Sequence, residues 1–134
     1  MEKDGLNVLG GLIRRRLRSF RYAGAGIWHS LRTQENMWIH ALATVLVFLF
    51  GWGLGVSRVE MGVLVLAVVA VWGMELMNTA VEAVVDLVMP ERHPLAKVAK
   101  DAAAGAVLVT AVGAAVVGFL ILGPPLWEFL IGRL

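Results

Sequence analysis

Three stretches of the chain run without a single Asp, Glu, Lys or Arg: Asn36 to Ser57, Met61 to Met74 and Ala102 to Trp127. A helix needs about 20 mostly apolar residues to cross a bilayer. The first and third stretches meet this length alone. The second meets it only if its helix runs on through Glu75 towards Glu82, which would set Glu75 near the inner headgroup boundary, facing protein rather than lipid. The pattern therefore predicts three membrane helices over about 34–56, 59–88 and 95–122. Thr33 is the expected N-cap of the first, and Gly51, Gly53 and Gly55 its frayed far end. A short turn holds Ser57, Arg58 and Glu60; Pro90 and Pro94 bracket a second loop; Gly123-Pro124-Pro125 is expected to stop the third helix. The tail places Trp127 and Phe129 at interfacial spacing.

Ahead of the spans, Arg14, Arg15, Arg16, Arg18 and Arg21 alternate with Leu12, Ile13, Leu17, Phe20 and Tyr22, and Trp28, Leu31 and Arg32 extend the pattern. This predicts one or two amphipathic surface helices over about 10–32, with aromatic rings at headgroup depth. Gly24 and Gly26 offer a break or a close approach to a ligand, and residues 1–9 are expected to fray. The fold class is all-α and integral to the membrane, a single domain over residues 1–134.

One polar stripe interrupts this apolar plan. In Glu75-Leu-Met-Asn78-Thr-Ala-Val-Glu82-Ala-Val-Val-Asp86 the polar residues are three, four and four apart. At about 100° per residue they share a helix face roughly 80° wide. Three carboxylates and an amide on one face repel one another unless a cation sits among them. Oxygen donors of this kind suit magnesium, which brings substrate phosphates with it. The alternative is a helix leaving the bilayer with its acids solvated.

Composition supports the membrane assignment, with 59% hydrophobic and 16% charged residues, where a soluble domain carries about a quarter charged. Without cysteine there is no disulfide, thiolate nucleophile or zinc–thiolate site. The first apolar run lies behind a basic leader, so no cleaved signal peptide is expected. Seven Lys and Arg precede the first span, three lie in the 90–100 loop, and only Arg58 and Arg133 fall on the other side. Ten against two predicts that the N-terminus and the 90–100 loop are cytoplasmic and the C-terminus outside.

On that topology Glu35, the Glu75–Asp86 stripe, and Lys97, Lys100 and Asp101 all reach the cytoplasmic end of the spans. Two classes of function fit. A lipid kinase needs oxygen ligands for a metal, cations for phosphates and a base for the acceptor hydroxyl. Glu35 and Glu82 could hold metal, Lys100 could meet phosphate, and Glu75, nearest lipid, could accept the proton. No Walker loop or Gly-rich kinase loop occurs. A transporter or ion-binding scaffold is the other class, but a transport path would place polar groups near the midplane, whereas the carboxylates here stop at one surface.

The Glu75–Asp86 segment, His93-Pro-Leu-Ala-Lys97-Val-Ala-Lys100-Asp101-Ala-Ala-Ala-Gly105-Ala-Val, Ser19-Phe-Arg-Tyr-Ala23-Gly-Ala-Gly-Ile27 and Glu35-Asn36-Met-Trp-Ile-His40 together resemble the prokaryotic diacylglycerol kinase family over about residues 17–122. The Ile-His40 ending and the His-Pro-Leu-Ala-Lys run are similar to its Gram-positive-type branch of undecaprenol kinases. The resemblance implies ATP, Mg2+ and a homotrimer with active sites shared between subunits. It implies Glu75 as catalytic base, Glu35 and Glu82 as metal ligands, and Asn78, Asp86, Lys100 and Asp101 as nucleotide- and phosphate-contacting residues. It favours undecaprenol over diacylglycerol as the lipid alcohol. No nucleic acid partner is expected. The small residues of the third span, Ala102, Ala103, Gly105, Ala106, Gly113, Ala114 and Gly118, suit close packing in a trimer.

Single residues complete the reading. Tyr22 and Phe20 are candidates to line the nucleotide entrance. His40, one turn beyond Glu35 and Asn36, is either satisfied by a neighbour or touches ligand. His93 is expected to be solvated, Trp28, Trp38 and Trp52 to anchor the interface, and Met74 and Met77 to pack.

Overall fold

Apolar helices with every backbone group bonded internally are one of the two structures that lipid tolerates, and this chain is built from them. The computed structural model describes residues 2–132, with side chains from Gly11 onward. It has four helices: α1 (Glu2–Thr33), α2 (Glu35–Gly53), α3 (Arg58–Val88) and α4 (Pro94–Ile131). The last three are each long and apolar enough to cross a membrane. Met1 and Arg133 lie outside the described residues.

α1 is one continuous helix. It neither frays at residues 2–9 nor breaks at Gly24 or Gly26, and it stays helical through Thr33. Thr33 is therefore not an N-cap. Its hydroxyl donates back to the His29 carbonyl at 2.9 Å, the bond a threonine makes when its own backbone is helical. The chain turns at Gln34 alone, which has extended dihedrals and makes no side-chain cap. That leaves the Gln34 amide free to reach elsewhere.

The far end of α2 is closed rather than frayed. Gly55 takes a φ of +68°, a region that suits glycine. The Val56 N–H then bonds the Gly51 carbonyl at 3.1 Å and the Gly55 N–H bonds the Trp52 carbonyl at 3.2 Å, the paired closure of a Schellman ending. Ser57 caps α3 at once. Its hydroxyl accepts from the Glu60 N–H at 3.3 Å while the Glu60 carboxylate accepts from the Ser57 N–H at 2.7 Å. Arg58 and Glu60 thus belong to the helix, not to the turn. Ser57→Ala is expected to destabilise the protein by about 1 kcal/mol, measured by thermal unfolding in detergent.

α4 begins one residue earlier than expected, with Pro94 in its first turn, and the Nδ1 of His93 accepts from the Leu95 N–H at 3.2 Å as its cap. His93 is thus a helix cap as well as exposed. The larger difference lies at the other end. α4 does not stop at Gly123-Pro124-Pro125 but continues to Ile131. Proline φ is already helical. Gly123 has no Cβ to collide with the ring that follows it. The backbone bonds lost there are tolerated because membrane helices re-satisfy freed groups locally.

The most extensive packing is between α3 and α4, with α2 lying along both. The buried apolar core is small: Met37, Leu64, Val71 and Val107. Large residues such as Leu49, Leu66, Val109 and Phe119 point outward. Such a surface suits hydrocarbon or neighbouring protein, not water. α3, at about 1.5 Å per residue, is roughly 46 Å long against a hydrocarbon core of about 30 Å. Counted from Arg58, Glu75 falls just within the apolar layer, and Glu82 and Asp86 fall beyond it.

Candidate active site

The start of α2, the end of α3 and the start of α4 meet at one end of the bundle, and the polar residues gather there in three tiers. The deepest is Glu75, whose side chain is only 1% exposed. Burying a carboxylate is costly unless a donor meets it. Here the donor comes from α2: His40 Nε2 lies 3.0 Å from Glu75 Oε1. One turn on, the Thr79 hydroxyl donates to the Glu75 carbonyl at 2.9 Å. A cavity of about 200 Å³ adjoins this carboxylate, lined by Asn36, His40, Glu75, Asn78 and residues of α4.

The middle tier is Asn78 and Glu82, adjacent turns of α3. Asn78 Nδ2 donates to Glu82 Oε1 at 3.1 Å, and Gln34 Nε2 donates to Glu82 Oε2 at 2.8 Å. An ionised carboxylate can only accept, so both amides must present their NH2 groups. For Asn78 this turns Oδ1 the other way. That oxygen is buried and has no partner. An unsatisfied buried acceptor costs about 1–3 kcal/mol, so the site calls for a cation or a donor beside it.

The outer tier pairs α3 with α4. Lys100 Nζ donates to Asp86 Oδ1 at 2.7 Å, and Lys97 pairs with Asp101 one turn along α4. They line a cleft of about 620 Å³ whose walls also include Glu91, Arg92 and His93. On the opposite side of Glu75, His40, Thr44 and Trp72 head an apolar groove of about 310 Å³ that runs between α2, α3 and α4 towards Leu64 and Leu122.

The structure therefore places Glu75, Asn78 and Glu82 on successive turns of α3, bonds Asn78 to Glu82 and Glu75 to His40, and joins Asp86 to Lys100. It leaves Glu35 exposed in the first turn of α2, beside Gln34. Tyr22 is 69% exposed on α1, and Phe20 is exposed beside it. Among the described residues no group of three or more His, Asp and Glu side chains is placed to hold a metal ion. Gln34 was not singled out from the sequence, although its position one residue before Glu35 was a signal. Of the two roles open to His40, the satisfying neighbour is observed, and that neighbour is Glu75.

A description of prokaryotic diacylglycerol kinases matches residues 21–122 of this chain. The chain belongs to the prokaryotic diacylglycerol kinase family. It is 44% identical over 124 residues to an undecaprenol kinase of Bacillus subtilis, covering 92% of this chain and 98% of that one. It is 44% identical over 114 residues to a diacylglycerol kinase of Synechocystis, covering 84% of this chain and 65% of the relative. A diacylglycerol kinase of Pseudomonas aeruginosa is 34% identical over 97 residues, or 72% and 79% of the two chains. The matched region includes every tier of the site. It stops at Leu122, short of the Pro124-Pro125 extension of α4.

Proposed function

We propose that this chain transfers the γ-phosphate of ATP to the hydroxyl of undecaprenol, giving undecaprenyl phosphate. The observation that carries the reading is the order along α3: Trp72 on an apolar groove, then buried Glu75 and Asn78 on a small cavity, then Asp86 on a charged cleft. Its three tiers correspond to the three parts of a lipid phosphorylation. The apolar groove receives the chain of the lipid alcohol. The charged cleft receives the triphosphate, with Lys100 and Lys97 supplying positive charge and Asp86 and Asp101 orienting them. Tyr22 lines the nucleotide entrance from α1.

Glu35 and Glu82, with the unpartnered Asn78 oxygen, would hold Mg2+; all three are the hard oxygen donors this ion takes. Bound there, the ion would offset the negative charge of the phosphates being transferred. Glu75 accepts the proton of the lipid hydroxyl as that oxygen attacks phosphorus. Its burial keeps water from competing as acceptor.

The protein lies in the cell membrane, with α1 on the cytoplasmic surface and the C-terminus outside, following the ten-to-two Lys and Arg asymmetry. It assembles as a homotrimer through the small-residue faces of α4. Glu35, exposed in one chain, then joins a site completed by a neighbouring subunit.

Labelled ATP presented with undecaprenol and diacylglycerol side by side in mixed micelles tests the reading. Label is expected on undecaprenol, with at least several-fold less on diacylglycerol. Label mainly on diacylglycerol would make the chain a diacylglycerol kinase, as the Synechocystis and Pseudomonas relatives are named. Label on neither lipid would return the chain to the scaffold class.

A further inference from the structure

Glu75 is nearly sealed from solvent, yet among the described residues a single side chain bonds its carboxylate. That side chain is His40, from another helix, at 3.0 Å. The turn of α2 that carries His40 is tied to α3 a second time. The Thr44 hydroxyl donates to the His40 carbonyl at 2.7 Å and accepts from the Trp72 indole N–H at 3.0 Å. Trp72 is on α3, one turn before Glu75. The two helices are thus clipped twice in succession, first by Trp72 and Thr44, then by His40 and Glu75. The ring also stands at the join between the 200 Å³ cavity and the apolar groove, lining both.

We propose that His40 is a positioning residue for Glu75, acting through the carboxylate and not on substrate. The inference rests on the kinase reading above for its catalytic consequence. An ionised carboxylate only accepts, so Nε2 carries the hydrogen of this bond. Donation to Oε1 restricts the rotation of the carboxyl group and leaves Oε2 for the acceptor hydroxyl. A base whose reacting oxygen is misplaced by about 1 Å can lose on the order of 100-fold in rate. A buried glutamate with a long, flexible stem is exposed to that loss, and one fixed oxygen removes it.

Two variants and one spectrum test this. In His40→Leu, packing is kept and the donor removed. The Glu75 carboxylate is then left buried without its donor, so the melting temperature is expected to fall, while the protein still folds and binds ATP with unchanged KM. Its kcat is expected to fall on the order of 10- to 100-fold. In His40→Gln, the amide N–H can reach the same oxygen, and most of the lost kcat is expected to return. Wild-type kcat in His40→Leu, or a His40→Gln protein as slow as His40→Leu, would overturn the proposal. The spectrum needs no substrate. With 15N-labelled histidine at neutral pH, His40 is expected to carry a hydrogen on Nε2, a preference lost in Glu75→Leu. A wild-type ring protonated on Nδ1 alone would overturn the pairing even if lipid phosphorylation is normal. Absent phosphorylation with the expected Nε2 hydrogen would instead fault the functional reading.

Discussion

Replacing Glu75 by glutamine is expected to slow turnover at least 100-fold, the scale of losing a general base, while leaving a folded protein that binds ATP. The separation of these effects follows from the geometry. Glutamine keeps a carbonyl oxygen where Glu75 Oε1 accepts from His40, so the link between α2 and α3 survives. A neutral amide is also less costly to bury than a carboxylate. Thermal stability should therefore hold or rise slightly. What the amide cannot do is take a proton from an alcohol. Because the cleft proposed for the triphosphate lies two tiers away, around Asp86 and Lys100, KM for ATP should stay close to wild type. The measurement is steady-state kinetics in mixed micelles beside a thermal melt of each protein. Turnover near the wild-type level would remove Glu75 from the role of base, whatever its burial.

Much of the site was legible because it is written along one helix. The spacing of Glu75, Asn78, Glu82 and Asp86 places them on one face from periodicity alone, and α3 runs through all four. The spans were legible for the same local reason, the absence of charge over long stretches. Pairing between helices was not. Nothing in the spacing says that Gln34 reaches Glu82 or that His40 reaches Glu75. Those bonds depend on how α2 lies on α3, which a few side chains such as Met37 and Leu64 decide. The end of α4 was misjudged because proline is read as a stop on rules from water. The start of α2 was misjudged because threonine is a common cap, whereas here the preceding helix claims Thr33 for its own last turn. Glu35 and Tyr22 are exposed in the single chain, and only the proposed trimer would bring them to the site.

Substitution of Glu82 by glutamine is the second large effect, and it acts on two oxygens rather than one. The wild-type carboxylate accepts from Gln34 on one side and from Asn78 on the other. A glutamine there offers one acceptor and one NH2 group. Its NH2 must then face the NH2 of either Gln34 or Asn78, and two donors cannot bond each other. The simplest escape is rotation of the Asn78 amide, which turns its oxygen inward to accept from the new side chain. The Asn78 oxygen that now stands buried without a partner would be replaced by a donor pointing the same way. The proposed magnesium site would lose a negative charge and a neutral oxygen ligand together. The magnesium concentration for half-maximal activity is expected to rise at least 10-fold, in the range seen when the groups orienting a metal site are disturbed. Maximal turnover at saturating magnesium should recover in part, because Glu75 and His40 are untouched. Magnesium titrations of both proteins at fixed ATP decide the matter. Superimposable curves would take Glu82 out of metal binding and leave it as a clamp between Gln34 and Asn78.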